Sequence, residues 1–256
     1  MLNRPCKIAA AQMRMSGMQR MRGHSVARTT AVQASKTPLV KVCGITNPED
    51  AAMAAGAGAD FIGMIMWQKA KRAVSDTNAR AIVEAARAHD AQPVGVFVDE
   101  SADIITDRCQ RAGIKIAQLH GDGARSALPQ LPSDLQVIYV LNCQSDGSTA
   151  TPLPCSMSDS TGKSRKADWL LLDGMQGGSG QVFDWTNLTI PQGESLHGWL
   201  LAGGLLPSNV ATAVQLASPT AVDVSSGVCG PDGLAKDSLK VTAFIAAAKT
   251  ASGQEL

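Results

Sequence analysis

The order of apolar runs predicts one closed barrel of eight parallel strands, a single (β/α)8 or TIM barrel over residues 36–256. Three observations carry that expectation. Short apolar segments recur at a spacing of roughly 20–30 residues, most followed by a stretch of helical length. Strand–helix alternation demands parallel pairing with the helices outside. Eight such units within about 215 residues favour ring closure over an open doubly wound sheet, and no second apolar core is visible.

The first strand is Leu39-Val40-Lys41-Val42-Cys43-Gly44. A helix follows, capped by Thr46 or Asn47, with Pro48 in its first turn and Glu49 and Asp50 suited to its dipole. Strands two to five are expected over 60–66, 93–98, 115–120 and 135–141, with helices over 76–89, 101–111 and 123–131 between them. Asp99, just after strand three, is expected to cap a helix. Residues 142–166 are rich in Ser, Thr and Pro and read as a long loop with little or no helix. The sixth strand, Leu170-Leu171-Leu172-Asp173, is a buried run ending in a lone carboxylate. Strands seven and eight are expected over 198–204 and 221–227, with helices over 207–216 and 238–250.

The 45% hydrophobic and 18% charged content is ordinary for a globular chain. No apolar run approaches a membrane span. Charge is uneven: residues 1–35 hold six Lys/Arg and no acid, while the remainder carries 17 basic and 22 acidic residues. A mildly acidic body argues against nucleic acid as a partner. The leader has the composition of an organelle transit peptide, disordered and cleaved near Val32-Gln33-Ala34-Ser35. The six cysteines form no CxxC pair, and no His stands at metal-ligand spacing, so free thiols and no structural zinc are expected.

In a barrel of this kind the chemistry collects where strands end at their C-termini, and phosphate is commonly held by the loops after strands seven and eight. Cys43, His120, Asp173, Gly203-Gly204 and Ser225-Ser226-Gly227 all fall at such ends. The turns Gly177-Gly178-Ser179-Gly180, Gly203-Gly204 and Ser225-Ser226-Gly227 offer backbone donors to one phosphate, aided by the N-terminus of a short helix after strand eight. No GxxxxGK[ST] is present, so the cradle is not a nucleotide P-loop. Cys43 and Asp173 suit a base and an acid. A free thiol near pH 7.5 is about a tenth thiolate, whereas a free Asp at pH 7 is protonated in only about one molecule in a thousand. Acid catalysis by Asp173 therefore requires burial or a partner that raises its pKa. Arg72 could clamp a substrate carboxylate. Lys69 and Lys71 read as solvated, Cys109, Cys143 and Cys155 as incidental, and Trp169 and Trp199 as strand core. His120 reads as a rim residue that packs or hydrogen-bonds, a substrate contact before it is an acid or a base.

Taken in order, Lys41-Val42-Cys43-Gly44-Ile45-Thr46, Val94-Gly95-Val96-Phe97, Gln118-Leu119-His120-Gly121, Asp173 ahead of Gly177-Gly178-Ser179-Gly180, Leu201-Ala202-Gly203-Gly204 and Val222-Asp223-Val224-Ser225-Ser226-Gly227 resemble the phosphoribosylanthranilate isomerase family. The resemblance runs from about Leu39 to Ala248. It implies an Amadori rearrangement in tryptophan synthesis, with no cofactor and no metal, acting on a small phosphorylated substrate in a monomer or weak homo-oligomer. It implies Asp173 as general acid, Cys43 as general base, Arg72 against the anthranilate moiety and the glycine and serine turns around phosphate. The leader and Gly227-Val228-Cys229-Gly230 look most like the plant and green-algal form, which implies the plastid ahead of the mitochondrion. Two departures stand out: Ala70-Lys71-Arg72 where the family often has Ser-Pro-Arg, and Cys229 where bacterial members often have Glu.

Rival readings are another sugar-phosphate isomerase on this fold and a non-catalytic phosphate-binding barrel. A related histidine-pathway isomerase would be expected to carry Asp at the position of Cys43, and the indole-forming synthase a lysine-centred site. A non-catalytic barrel would need neither Cys43 nor Asp173.

Overall fold

The computed structural model describes residues 37–149, 151–162, 164–174 and 185–251. Eight strands close into one parallel ring in sequence order: β1 (Leu39–Val42), β2 (Phe61–Ile65), β3 (Gln92–Phe97), β4 (Ile116–Leu119), β5 (Gln136–Cys143), β6 (Trp169–Gly174), β7 (Trp199–Leu201) and β8 (Ala221–Val224). The ring is sealed where β1 runs beside β8, Leu39 opposite Ala221 and Lys41 opposite Asp223.

The helices are α1 (Pro48–Gly56), α2 (Asp76–Arg87), α3 (Ala102–Ala112), α4 (Asp122–Ser126), α5 (Val210–Ala217) and α6 (Ser238–Thr250). Their starts follow local chemistry. The Asn47 side chain accepts from the Asp50 amide at 2.7 Å, with Pro48 at the first helical position, so Asn47 and not Thr46 is the cap. Ser75 caps α2 through the Asn78 amide, and Asp237 caps α6 through the Leu239 and Lys240 amides. The N-cap of α3 is Ser101, and Asp99 does not cap it: the Asp99 carboxylate accepts from the Trp67 indole at 3.1 Å instead. The helix expected over 123–131 breaks into α4 and a single 3-10 turn at Leu128–Gln130, because Pro129 cannot supply an amide to an α-helix. The turn after β8, Ser226–Val228, is likewise 3-10.

Residues alternate along each strand, so one face looks into the ring and the other toward the helices. The inner cluster includes Phe61, Val94, Ile138, Trp169, Leu171 and Leu200. The outer one joins Val40, Ile62, Leu119, Tyr139 and Val222 to helix residues such as Ile82, Ile105 and Phe244. Trp169 lies inside the barrel and Trp199 in the outer shell, so both are core. Full burial of a Leu such as Leu171 is worth roughly 1.5–3 kcal/mol. The β5–β6 connection forms no α-helix among its described residues; Tyr139 Oη donates to the Pro152 carbonyl at 2.9 Å, and Thr151 Oγ1 accepts from the Asn142 amide at 2.9 Å.

Candidate active site

The apolar filling of the barrel stops one layer short of its C-terminal end. Leu39, Lys41 and Cys43 follow one another on the inner face of β1, with Val40 and Val42 turned outward. Lys41 is fully buried and donates to Asp223 Oδ1 at 2.9 Å across the β1–β8 seam. Burial works against its charge, but the Asp223 carboxylate and then Cys43 outweigh it, and the amine stays above the ordinary lysine range. A β-carbon placed on Gly63 of β2 would sit 2.8 Å from Cys43 Sγ and 3.0 Å from Lys41 Nζ, so the bare glycine makes room for both.

Asp173 enters this layer from β6. Leu172 is opposite Leu201 and Leu201 opposite Val222, so Asp173, Ala202, Asp223 and Lys41 occupy successive inner positions across β6, β7, β8 and β1. Burial, and next the neighbouring Asp223, push the Asp173 carboxyl up to about 7. Near pH 7 the protonated form is therefore far more accessible there than on a free Asp, where it is about one molecule in a thousand. His120 follows β4, and its Nε2 lies 3.9 Å from Asp173 Oδ2. Burial lowers its pKa, with Asp223 pulling the other way, so the ring is neutral at pH 7.

On the other side of the mouth, the loop after β2 returns to its strand through the Val74 amide and Ile65 carbonyl, 3.0 Å apart. That return aims Arg72 across the rim. Arg72 Nη1 donates to Ser225 Oγ at 2.8 Å and touches Cys229 Sγ at 3.6 Å, and Ser225 Oγ donates to the Cys43 carbonyl at 3.0 Å. Three loop ends are thus tied together over Gly44. Its φ of 71° suits glycine, and a β-carbon there would meet Arg72 Nη1 and Ser225 Oγ at 2.9 Å. Lys236, 7% exposed, completes the group, with Nζ 3.0 Å from the Ser225 carbonyl and 3.4 Å from Cys229 Sγ. Burial lowers its pKa, and Arg72 adds to that against the pull of Cys229. Among the described residues no carboxylate forms an ion pair with Arg72 or Lys236.

The expected phosphate loops after β7 and β8 meet at this rim. Gly203 and Gly204 have φ of 86° and 66°, and the Gly204 carbonyl accepts from Asn209 Nδ2. A side chain on Gly227 would strike the Leu205 carbonyl, so the two loops lie in close contact, with Ser226 in the turn that follows Ser225. Gly177, Gly178, Ser179 and Gly180 lie outside the described residues. Lys69 is exposed, 4.0 Å from Asp99, and Lys71 donates to the Asp232 carbonyl from an exposed position. Cys109 and Cys143 are thiols pushed up to about 12 by burial, and Cys155 is exposed.

Three site residues had been given no role from the sequence: Lys41, Asp223 and Lys236. The first two carried a signal. A charge at an inward position of an otherwise apolar strand, two residues before Cys43 or between Val222 and Val224, has no place in a dry core. A buried lysine does stand near the mouth, and it is locked to Asp223. Lys236 lies on a loop with no periodicity to mark it.

Fold and site together define a (β/α)8 barrel whose one mouth gathers a carboxyl of raised pKa, a thiol and the cationic side chains of Arg72 and Lys236. The sequence profile of N-(5′-phosphoribosyl)anthranilate (PRA) isomerase matches residues 40–247. N-(5′-phosphoribosyl)anthranilate isomerase 1, chloroplastic, of Arabidopsis thaliana is 44% identical over 216 residues, covering 83% of this chain and 75% of its own. The crystal structure of phosphoribosyl anthranilate isomerase from Thermotoga maritima superposes with a TM-score of 0.65 at 31% identity, over 83% of this chain and 98% of that one. A structure of such an isomerase with reduced 1-(o-carboxyphenylamino)-1-deoxyribulose 5-phosphate gives 0.60 at 28% identity, again over 83% and 98%. The chain belongs to the N-(5′-phosphoribosyl)anthranilate isomerase family.

Proposed function

We propose that the chain converts N-(5-phosphoribosyl)anthranilate to 1-(2-carboxyphenylamino)-1-deoxyribulose 5-phosphate by an Amadori rearrangement in tryptophan biosynthesis. The observation that supports this reading beyond family membership is the half-buried carboxyl of Asp173, raised to about 7, facing the mouth that Cys43 also faces. Asp173 gives its proton to the furanose ring oxygen. The C1–O bond opens and the anilino nitrogen supplies the electron pair that makes the Schiff base. Cys43 then takes the C2 proton, and the C–H electrons move toward the iminium carbon to leave an enolamine. A proton returns to C1 from Cys43 and the C2 hydroxyl gives its own to the Asp173 carboxylate, which leaves the ketone and restores both groups. Each positioned acid or base of this kind is worth about 10²–10⁴ in rate.

Arg72 takes the anthranilate carboxylate; the absence of a carboxylate partner for it among the described residues supports that role. Neutral His120 lines the mouth beside Asp173 as a substrate contact. Gly203, Gly204, Ser225, Ser226 and Gly227, together with Gly177, Gly178, Ser179 and Gly180, hold the phosphate. The chemistry draws only on side-chain protons and calls for no cofactor. Residues 1–35 act as a cleaved plastid transit peptide ahead of the barrel at 36–256; their composition and the chloroplastic Arabidopsis relative support this. Among the described residues no helix is long and apolar enough to cross a membrane.

The test is a fluorescence assay on freshly made phosphoribosylanthranilate with protein beginning at Ser35. Fluorescence should fall faster than hydrolysis releases anthranilate, and an added indole-glycerol-phosphate synthase should consume the product. Binding of a phosphate ligand without turnover would sink the assignment. Fusing residues 1–35 to a fluorescent reporter tests import, and a reporter left in the cytosol would remove the plastid reading.

A further inference from the structure

The Lys41–Asp223 pair is more than a buried ion pair that happens to lie near the mouth. Taking two charges out of water costs several kcal/mol per ion, and a well-packed apolar pair often serves stability as well or better. Stability alone therefore gives no reason for a fully buried lysine in a strand of Leu and Val. Its location gives one. Lys41 and Cys43 are two residues apart on the same face of β1, and Cys43 Sγ and Lys41 Nζ crowd the same point above Gly63, at 2.8 and 3.0 Å. At the other end of the pair, Asp223 stands one inner position from Ala202 and two from Asp173.

We propose that Lys41 is a positioning residue for the acid–base pair: its ammonium, anchored on Asp223, lies against the Cys43 sulfur and balances the negative charge left there when the proton departs. The inference rests on the reading of Cys43 as base. One buried pair then sorts the two roles, with its cationic end toward the thiol and its anionic end toward the carboxyl that must keep a proton. The elevated Asp173 carboxyl agrees with that polarity, since Asp223 is its second cause after burial. The charged or titratable groups that share the mouth are Asp173 from β6, His120 after β4, Arg72 after β2 and Lys236 ahead of α6. Of these, Arg72 is held by Ser225 and Cys229, and Lys236, held by Ser225 and Cys229, also feels Cys43, but only Lys41 adds a side-chain hydrogen bond to it. Lys41 alone joins the sulfur at the Gly63 contact.

The experiment is alkylation of Cys43 by iodoacetamide in the resting protein, followed on its own peptide by mass spectrometry between pH 6 and 9. Removing Lys41 alone would strand the Asp223 charge and endanger folding. The variant is therefore the neutral double K41M/D223N, with K41R as the charge-conserving control. In the folded double variant, Cys43 alkylation at pH 7 should slow at least ~10-fold, the effect of losing one neighbouring opposite charge. The acid limb of kcat should move to higher pH, with KM changed far less than kcat. K41R should recover most of the alkylation rate. Gly63→Ala reaches the same contact from β2 without altering charge, because its β-carbon must part the sulfur from the amine; the alkylation rate should fall there too. Wild-type alkylation rates in both K41M/D223N and Gly63→Ala would overturn the inference. Undiminished turnover in Cys43→Ala would instead overturn the base reading, a result that the resting-state alkylation rates do not share.

Discussion

The inside of this barrel has two ends built on opposite rules. Toward the N-terminal end, Leu39, Phe61, Val94, Ile138, Trp169 and Leu200 fill the ring, with no charge to satisfy. One layer further on, the same strands present Lys41, Cys43, Asp173 and Asp223, and Gln118 with its Oε1 buried and unpaired. The strands and their alternation are common to both ends, so the fold does not dictate the difference; residue choice does. The lower layers are where burial returns stability. The upper layer spends some of it on a carboxyl that resists ionising and a lysine that cannot reach water.

If that division is real, substitutions at the two ends should fail in different currencies. The largest effects belong to the upper layer. Asp173→Asn and Cys43→Ala should each lower kcat by at least ~10²-fold while affinity for a substrate analogue survives. Near-normal turnover in either variant would strip that residue of its role. The same Asn variant tests the stability side. Folded Asp173 holds its proton more tightly than the ordinary 3.8 allows, so its contribution is fully present below about pH 4 and is lost as pH rises through about 7. Asp173→Asn should therefore flatten the pH dependence of Tm across that window and melt above wild type at pH 8. A parallel Tm–pH curve would show that the carboxyl is not held neutral.

Next in size is the lower layer. Leu171→Ala should cost roughly 2–5 kcal/mol in denaturant unfolding, with kcat/KM of the folded protein within about twofold of wild type. A large loss of activity at unchanged stability would erase the division. Smaller again is Arg72→Met, which should raise KM by about 10- to 100-fold, the worth of a charged hydrogen bond, and leave kcat comparatively unmoved. Smallest is Asn47→Ala, outside both layers, at about 1 kcal/mol of stability for the lost helix cap.

The fold was legible because it rests on local signals. Apolar runs of strand length, the Asn47-Pro48 start and the Gly- and Pro-marked turns each state their structure within a few residues, and α6 falls on the expected span 238–250. The Asp99 cap failed because Trp67, from another loop, competes for that carboxylate, and proximity across loops leaves no local trace. The site was legible in part for the same reason. Cys43 and Asp173 stand at strand ends that any barrel brings to one rim, and the structure adds the partial burial and the Asp223 neighbour that raise the Asp173 carboxyl. Lys41 and Asp223 acquire meaning only as a pair, 182 positions apart in the chain. Lys236, meeting Ser225 and Cys229 from a loop, was beyond reach without coordinates.

That span of the chain has a consequence for how the protein is made. Lys41 sits on the first strand of the ring and Asp223 on the eighth, and β1 has its longer pairing with β8 rather than with β2. A nascent chain that stops short of Ala221 holds an amine aimed at a core with no acid to receive it. Such a chain lacks both the strand that seals the ring against β1 and the carboxylate that holds the Lys41 ammonium. Closing the ring and pairing the buried charge therefore take place at one and the same seam.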